Sequence, residues 1–252
     1  MADGNTIHSV AKAMELLQLL SDCGALTLSE ISERSGFPKS TVFGLLTTMR
    51  DCNVVSQAKD GKYALGMRLF EFGCSAARAR DISAIAKPYL ELLAARTEAT
   101  AMLSVPDGDS AITLEQIEGH GNLRVVSNVG GRLPLHCTSQ GKIFLSVMSE
   151  ANVRAFLEAQ PPTAYTPHTI VQPDRLFDEL SAVRRQGYAV VDGEYKIGLR
   201  SVSAPVYDTD GTTKYALGVI GMFRNVRSEE FRRAVEEVCA AAKMLTSALS
   251  AK

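Results

Sequence analysis

The 252-residue chain is 46% hydrophobic with a formal net charge of −1, enough apolar content for a sizeable core but without an overall basic field. That excludes nucleic-acid binding through bulk positive charge and confines any such contact to a local arrangement of side chains. No apolar run approaches the ~20 residues that span a bilayer, MADGNTIHSV lacks the basic-then-apolar order of a signal peptide, and the five cysteines are scattered. A soluble cytoplasmic protein with reduced thiols and no membrane partner is expected.

From Ser9 onward, Val10, Ala13, Met14, Leu17 and Leu20 recur at three- and four-residue steps, which predicts a first helix with one buried stripe, ended before Gly24. In TLSEISERSG, Thr27 stands three residues ahead of Glu30, a capping box that opens a short second helix around Ile31, and Gly36 closes it. Pro38 suits the first turn of a third helix whose buried side is Val42, Leu45, Leu46 and Met49. Two short extended runs then flank Asp60-Gly61 in VVSQAKDGKYALG, a hairpin signal. This is the order of a winged helix-turn-helix, in which the third helix enters the DNA major groove and the hairpin lies along the backbone. It is also the order of a small helical core with a hairpin that binds nothing.

With the third helix's stripe facing inward, 100° per residue places Ser40, Gly44 and Thr47 opposite it, flanked by Thr41, Phe43 and Thr48. Hydroxyls reach phosphates or base edges, and Phe43 suits a thymine methyl. Lys39 at the helix start and Lys62 on the hairpin add positive charge, with no acid between Lys39 and Arg50. The candidate DNA contacts are Ser29, Lys39, Ser40, Thr41, Phe43, Gly44, Thr47 and Lys62. Gly44 costs the helix about 1 kcal/mol against alanine, but on the outward face, where a missing side chain allows close approach.

Leu65 to Arg80 has a helical pattern and ends in arginines among alanines, so residues 66–81 read as a linker helix between a first domain, 1–65, and a second, 82–252. In the second domain a helical pattern runs from Ile82 to about Arg96, interrupted at Pro88. Extended runs follow near 101–105, 111–116 and 123–126, helices near 139–148, 152–159 and 174–186, strands near 188–191, 200–207 and 215–222, and a closing helix near 228–248. Mixed runs of this kind predict an α+β sheet with helices packed over it.

These stretches resemble the isocitrate-lyase-regulator (IclR) family of bacterial transcription factors. TLSEISERSGFPKSTVFGLLTTM and GKYALGMRLFEFG are similar to its helix-turn-helix and wing. LPLHCTSQGKIFLSVM, VRRQGYAVVDGEYKIGLRSVSAPVYDTDG and ALGVIGMF are similar to its effector domain. The resemblance implies a GAF/PAS-like effector-binding domain. It also implies a homo-oligomer, a dimer or dimer of dimers, that sets paired recognition helices on a near-palindromic double-stranded operator. Two positions depart from the pattern: relatives commonly carry arginine at Gly44, and a small polar or imidazole side chain at Phe43. The resemblance further implies that Ser201, Gly218 and Ile220 face the effector. Members that bind very small oxoacids tend to carry an acid, a cysteine and serines where this chain has Val191, Ser201, Gly218 and Ile220.

Thr138 or Ser139 can cap the helix that begins near Gln140, whose free N–H groups and positive dipole end favour a carboxylate. The candidate effector residues are Thr138, Ser139, Gln140, Val191, Ser201, Gly218 and Ile220, for a small organic acid with an apolar or aromatic body. An enzymatic alternative also exists, because Ser139 and Lys142 match S-x-x-K, a serine-nucleophile pattern, though its S-D-N and K-T-G partners are missing. His136-Cys137 reads as a surface or capping histidine beside a packed cysteine. No histidine stands at metal-ligand spacing, so no metal or cofactor is expected.

Overall fold

The computed structural model describes residues 6–78, 82–119 and 129–250. Its internal contacts divide the chain into two compact units, Met1–Asp81 and Ile82–Lys252.

In the first unit, α1 (His8–Cys23), α2 (Leu28–Ser35) and α3 (Lys39–Asp51) precede a hairpin of β1 (Val55–Gln57) and β2 (Tyr63–Leu65), and α4 (Met67–Arg78) follows. The capping box forms: Thr27 accepts from the Glu30 amide at 3.3 Å, and Glu30 accepts from the Thr27 amide at 2.8 Å. The bonds that the Thr27 amide and hydroxyl donate to the Glu30 carboxylate hold that carboxyl below its ordinary range. Gly36 ends α2 in the left-handed region at φ 71°, a conformation glycine adopts without strain. The core joins Leu16, Leu20, Ile31, Val42, Leu46 and Tyr63. Two expectations need correction. Val10 and Met14 are 53% and 61% exposed, because α1 is apolar over a wide arc and only its Leu16/Leu20 side meets the core. Pro38 is the residue before α3, at ψ 140°, and not in its first turn. The hairpin is tied to the connection between α1 and α2 by paired bonds between Leu26 and Tyr63, at 3.0 and 2.7 Å.

The second unit begins with α5 (Ile82–Thr97), which runs through Pro88 as one helix where an interruption was expected. The strands β3 (Thr100–Asp107), β4 (Ser110–Ile117), β5 (Arg132–Pro134), β6 (Ala189–Asp192), β7 (Arg200–Tyr207) and β8 (Thr213–Gly221) form an antiparallel sheet in the order β5-β4-β3-β8-β7-β6. β5 was not anticipated, and the strand expected near 123–126 lies outside the described residues. Period-2 alternation gives the sheet two apolar faces. Ala101, Leu103 and Val105 of β3 join the cluster of α5 and the closing helix α9 (Glu229–Ser250). On the other face lie α6 (Ser139–Ser146), α7 (Glu150–Ala159) and α8 (Pro173–Gln186), with Ile143, Leu145, Leu176 and Leu180 in their core.

All eight residues of α6 are buried. A Cβ on Gly141 would collide with the backbone of Leu135, so glycine is what lets this helix lie directly on the chain that leads into it.

Candidate functional site

The outward face of α3 is as the helical wheel requires. Val42 and Leu46 are fully buried, while Lys39, Ser40, Phe43 and Gly44 are exposed and Thr41 and Thr47 are half-buried. Phe43 is 53% exposed, an apolar ring the core does not use. Nothing lies within 4 Å of a Cβ built on Gly44, so no packing within the chain requires glycine there. Thr48 donates to the Gly44 carbonyl at 3.0 Å, which engages its hydroxyl with backbone. Ser29 is exposed on α2, and Lys62 is exposed just before β2, its amide bonded to Asp60 at 3.1 Å.

A cavity of about 200 Å³ lies in the second unit between the sheet and the start of α6. Its floor comes from strand register. Val191 pairs with Ser201 and Ser201 with Ile220, so three expected residues from three strands stand in one row on one face. Met102, Leu133 and Leu199 extend the apolar wall, and Cys137, Thr138 and Gln140 close the α6 end. Thr138 is the N-cap, accepting from the Gly141 amide at 3.1 Å and donating to the Pro134 carbonyl at 2.7 Å. The Ser139 and Gln140 amides, which the helix's own carbonyls cannot reach, are the donors at this end.

Ser139 and Gly218, both expected at the effector, are not among the lining residues. Gly218 belongs to the next row of the sheet, where it pairs with Ser203 and Met102, and Ser139 opens α6 above that row. A Cβ on Gly218 would strike the Ser203 hydroxyl. That hydroxyl bonds Ser139 Oγ at 2.8 Å, so this glycine makes room for a buried serine pair beneath α6. Sequence reading also missed Arg132, Tyr195 and Lys196 on the wall. Arg132 is held by Asp107 at 2.9 Å, and Lys196 Nζ lies 6.0 Å from the Tyr195 ring centre. The glycine-bounded GEYKIGL was the available signal for the latter two.

The enzymatic alternative loses its chemistry here. Ser139 Oγ is engaged by Ser203, and Lys142 Nζ by Glu194 at 2.5 Å and Glu179 at 3.3 Å, with Ser139 and Lys142 both fully buried. Burial pushes the Cys137 thiol up to about 12, far from nucleophilic. His136 is buried, a correction to the expected surface position. Its Nε2 donates to the Thr163 carbonyl at 2.9 Å, and burial lowers its pKa. No group of three or more histidine, cysteine or acidic side chains among the described residues is arranged to hold a metal.

Models of the IclR helix-turn-helix domain and of the bacterial transcriptional regulator IclR C-terminal domain match residues 9–59 and 74–247. The chain belongs to the IclR family. The acetate operon repressor of Salmonella typhimurium is 32% identical over 246 residues, 96% of this chain and 90% of that one. Among solved structures, an IclR transcriptional regulator from Alicyclobacillus acidocaldarius superposes with a TM-score of 0.84 at 32% identity, covering 97% and 99% of the two chains. An IclR homologue from Microbacterium hydrocarbonoxydans, complexed with 4-hydroxybenzoate, also gives 0.84, at 25% identity and 97% and 98% coverage. As an IclR-family member the chain is a DNA-binding transcriptional regulator and not an enzyme.

Proposed function

We propose that this IclR-family regulator is a ligand-responsive repressor of catabolic genes whose effector is a small organic acid with an apolar or aromatic body. The observation that carries the reading is the Val191–Ser201–Ile220 row, which makes the cavity floor apolar apart from one hydroxyl. The carboxylate sits against the α6 start at Thr138 and Gln140, and the body lies over Val191 and Ile220. The 4-hydroxybenzoate bound by the Microbacterium homologue supports an aromatic acid. Isothermal titration with benzoate-type acids, short aliphatic acids, pyruvate and glyoxylate tests this: tighter binding of the aromatic acids is expected, and preference for pyruvate- or glyoxylate-sized anions overturns it.

The DNA face comprises Lys39, Ser40, Thr41, Phe43, Gly44 and Thr47 of α3, with Ser29 and Lys62 beside it. A pair of copies would present two such faces to a near-palindromic operator in the cytoplasm. Exposed Val10 and Met14 on α1, with Met67 (71%), Phe70 (67%) and Phe72 (54%) on α4, supply the apolar surface for that pairing. Effector binding would act by favouring one of two arrangements of the paired DNA-binding units. Gel shifts with the DNA upstream of the chain's own gene, with and without the acid, test the regulatory half; binding that ignores both operator sequence and acid would refute it.

A further inference from the structure

One wall of the cavity is the connection between β6 and β7, residues 193–199, which contributes Tyr195, Lys196 and Leu199. It is bounded by Gly193 at φ 71° and Gly198 at φ 82°, and tied at its base by a Gly193 N–H to Leu199 carbonyl bond of 2.9 Å. One side chain of this segment turns inward. Glu194 is 6% exposed, and its Oε1 lies 2.5 Å from Nζ of Lys142, which is 0% exposed on α6. Thr169 and Thr166 also hold the segment, their hydroxyls donating to the Glu194 carbonyl at 2.6 Å and the Gly193 carbonyl at 2.8 Å. Lys142 has a second partner off the segment, Glu179 of α8 at 3.3 Å, whose side chain is one-third exposed.

A fully buried lysine is a poor way to stabilise a helix whose neighbours are all buried, because a leucine or methionine there avoids the desolvation of a charge. What an ion pair adds is a directional bond between two particular elements. Lys142 joins rigid α6, which carries the cavity's polar end, to the glycine-bounded segment that covers the cavity. Glu179 matters when that segment leaves: an ammonium with a second carboxylate still within reach is not stranded without a counter-charge.

We propose that Lys142 is a positioning residue for effector binding, pinning the 193–199 segment over the cavity through Glu194 and resting on Glu179 when the segment opens. The proposal builds on the effector-cavity reading above. It predicts opposite signs for two neutralising substitutions. Glu194→Gln removes the latch and favours opening; Glu179→Gln removes the resting partner and disfavours it. A merely structural ion-pair cluster would loosen in both.

The test is hydrogen–deuterium exchange of the peptide spanning residues 190–200 in the full-length chain, beside the α6 peptide and the melting temperature as references. Glu194→Gln is expected to speed exchange of that peptide at least tenfold while α6 keeps its protection. Glu179→Gln is expected to slow it about threefold. Changes of the same sign in both variants, or none in either, overturn the latch. If Glu194→Gln does not fold, Glu179→Gln decides alone, since faster or unchanged exchange contradicts its role. A benzoate titration forms the second arm: where wild type binds, Glu194→Gln should weaken affinity about tenfold or more, and unchanged affinity overturns the positioning role. If neither benzoate nor 4-hydroxybenzoate binds wild type, the effector reading fails, while the exchange arm still decides whether Lys142 pins the segment.

Discussion

Gly44 and Gly141 are both glycines inside short helices, and their surroundings are opposite. Around Gly44 on α3 there is open space; at Gly141 on α6 an added methyl group meets the Leu135 backbone. The first glycine leaves an outward face bare, and the second lets a wholly buried helix touch the chain beneath it. A residue type and its helix are therefore insufficient to assign a role, and what a Cβ would meet separates the two.

Gly141→Ala should produce the largest effect, a loss of about 3 kcal/mol or more for the second unit, because backbone cannot yield as a side-chain end does; thermal denaturation measures it, and a near-neutral result would show that α6 shifts freely. Lys39→Ala and Lys62→Ala should each weaken operator binding and reduce the slope of log affinity against log salt by about 0.9, read by gel shifts across a salt series. An unchanged slope would remove that lysine from the DNA face. Gly44→Ala should stabilise the first unit by about 0.5–1 kcal/mol, the reverse sign of Gly141→Ala. Gly44→Arg should tighten DNA binding generally while blurring operator choice, and unchanged affinity and selectivity would show that this face does not read DNA. The smallest effect concerns His136. Burial holds its folded pKa below the ordinary 6.5, so the unfolded chain binds the extra proton as pH falls through that window. Stability should then decline from pH 7 toward 5.5, and His136→Phe should flatten that slope in melting curves.

The first unit was largely legible because its signals are local. The Thr27/Glu30 capping box, Gly36 and Asp60-Gly61 each act within a few residues, and the α3 stripe has one apolar side. Where α1 was misread, the cause was an apolar arc too wide for spacing to say which half meets the core. In the second unit the Val191, Ser201 and Ile220 positions came from family resemblance, and strand register explains their meeting. Ser139 and Gly218 do not line the expected cavity because they meet beneath α6, where the Ser203 hydroxyl occupies the space over Gly218 and bonds Ser139, a contact between a helix and two strands that the spacing within any one segment cannot show. Lys142, Glu179 and Glu194 were invisible as a cluster: they come from α6, α8 and the β6–β7 connection, and no local spacing joins them.

The bonds between Leu26 and Tyr63 make the hairpin a third partner of the segment ahead of α2, with Tyr63 buried in the helical core. This bears on how fast the protein can search DNA. Its wing is already ordered before any encounter, so association need not carry the entropy of folding a loop onto the duplex. The on-rate should accordingly be governed by charge steering and orientation, falling with added salt and depending weakly on temperature. A reading head built in advance can also leave a wrong sequence without unfolding, which suits a regulator that inspects many sites for each one it keeps.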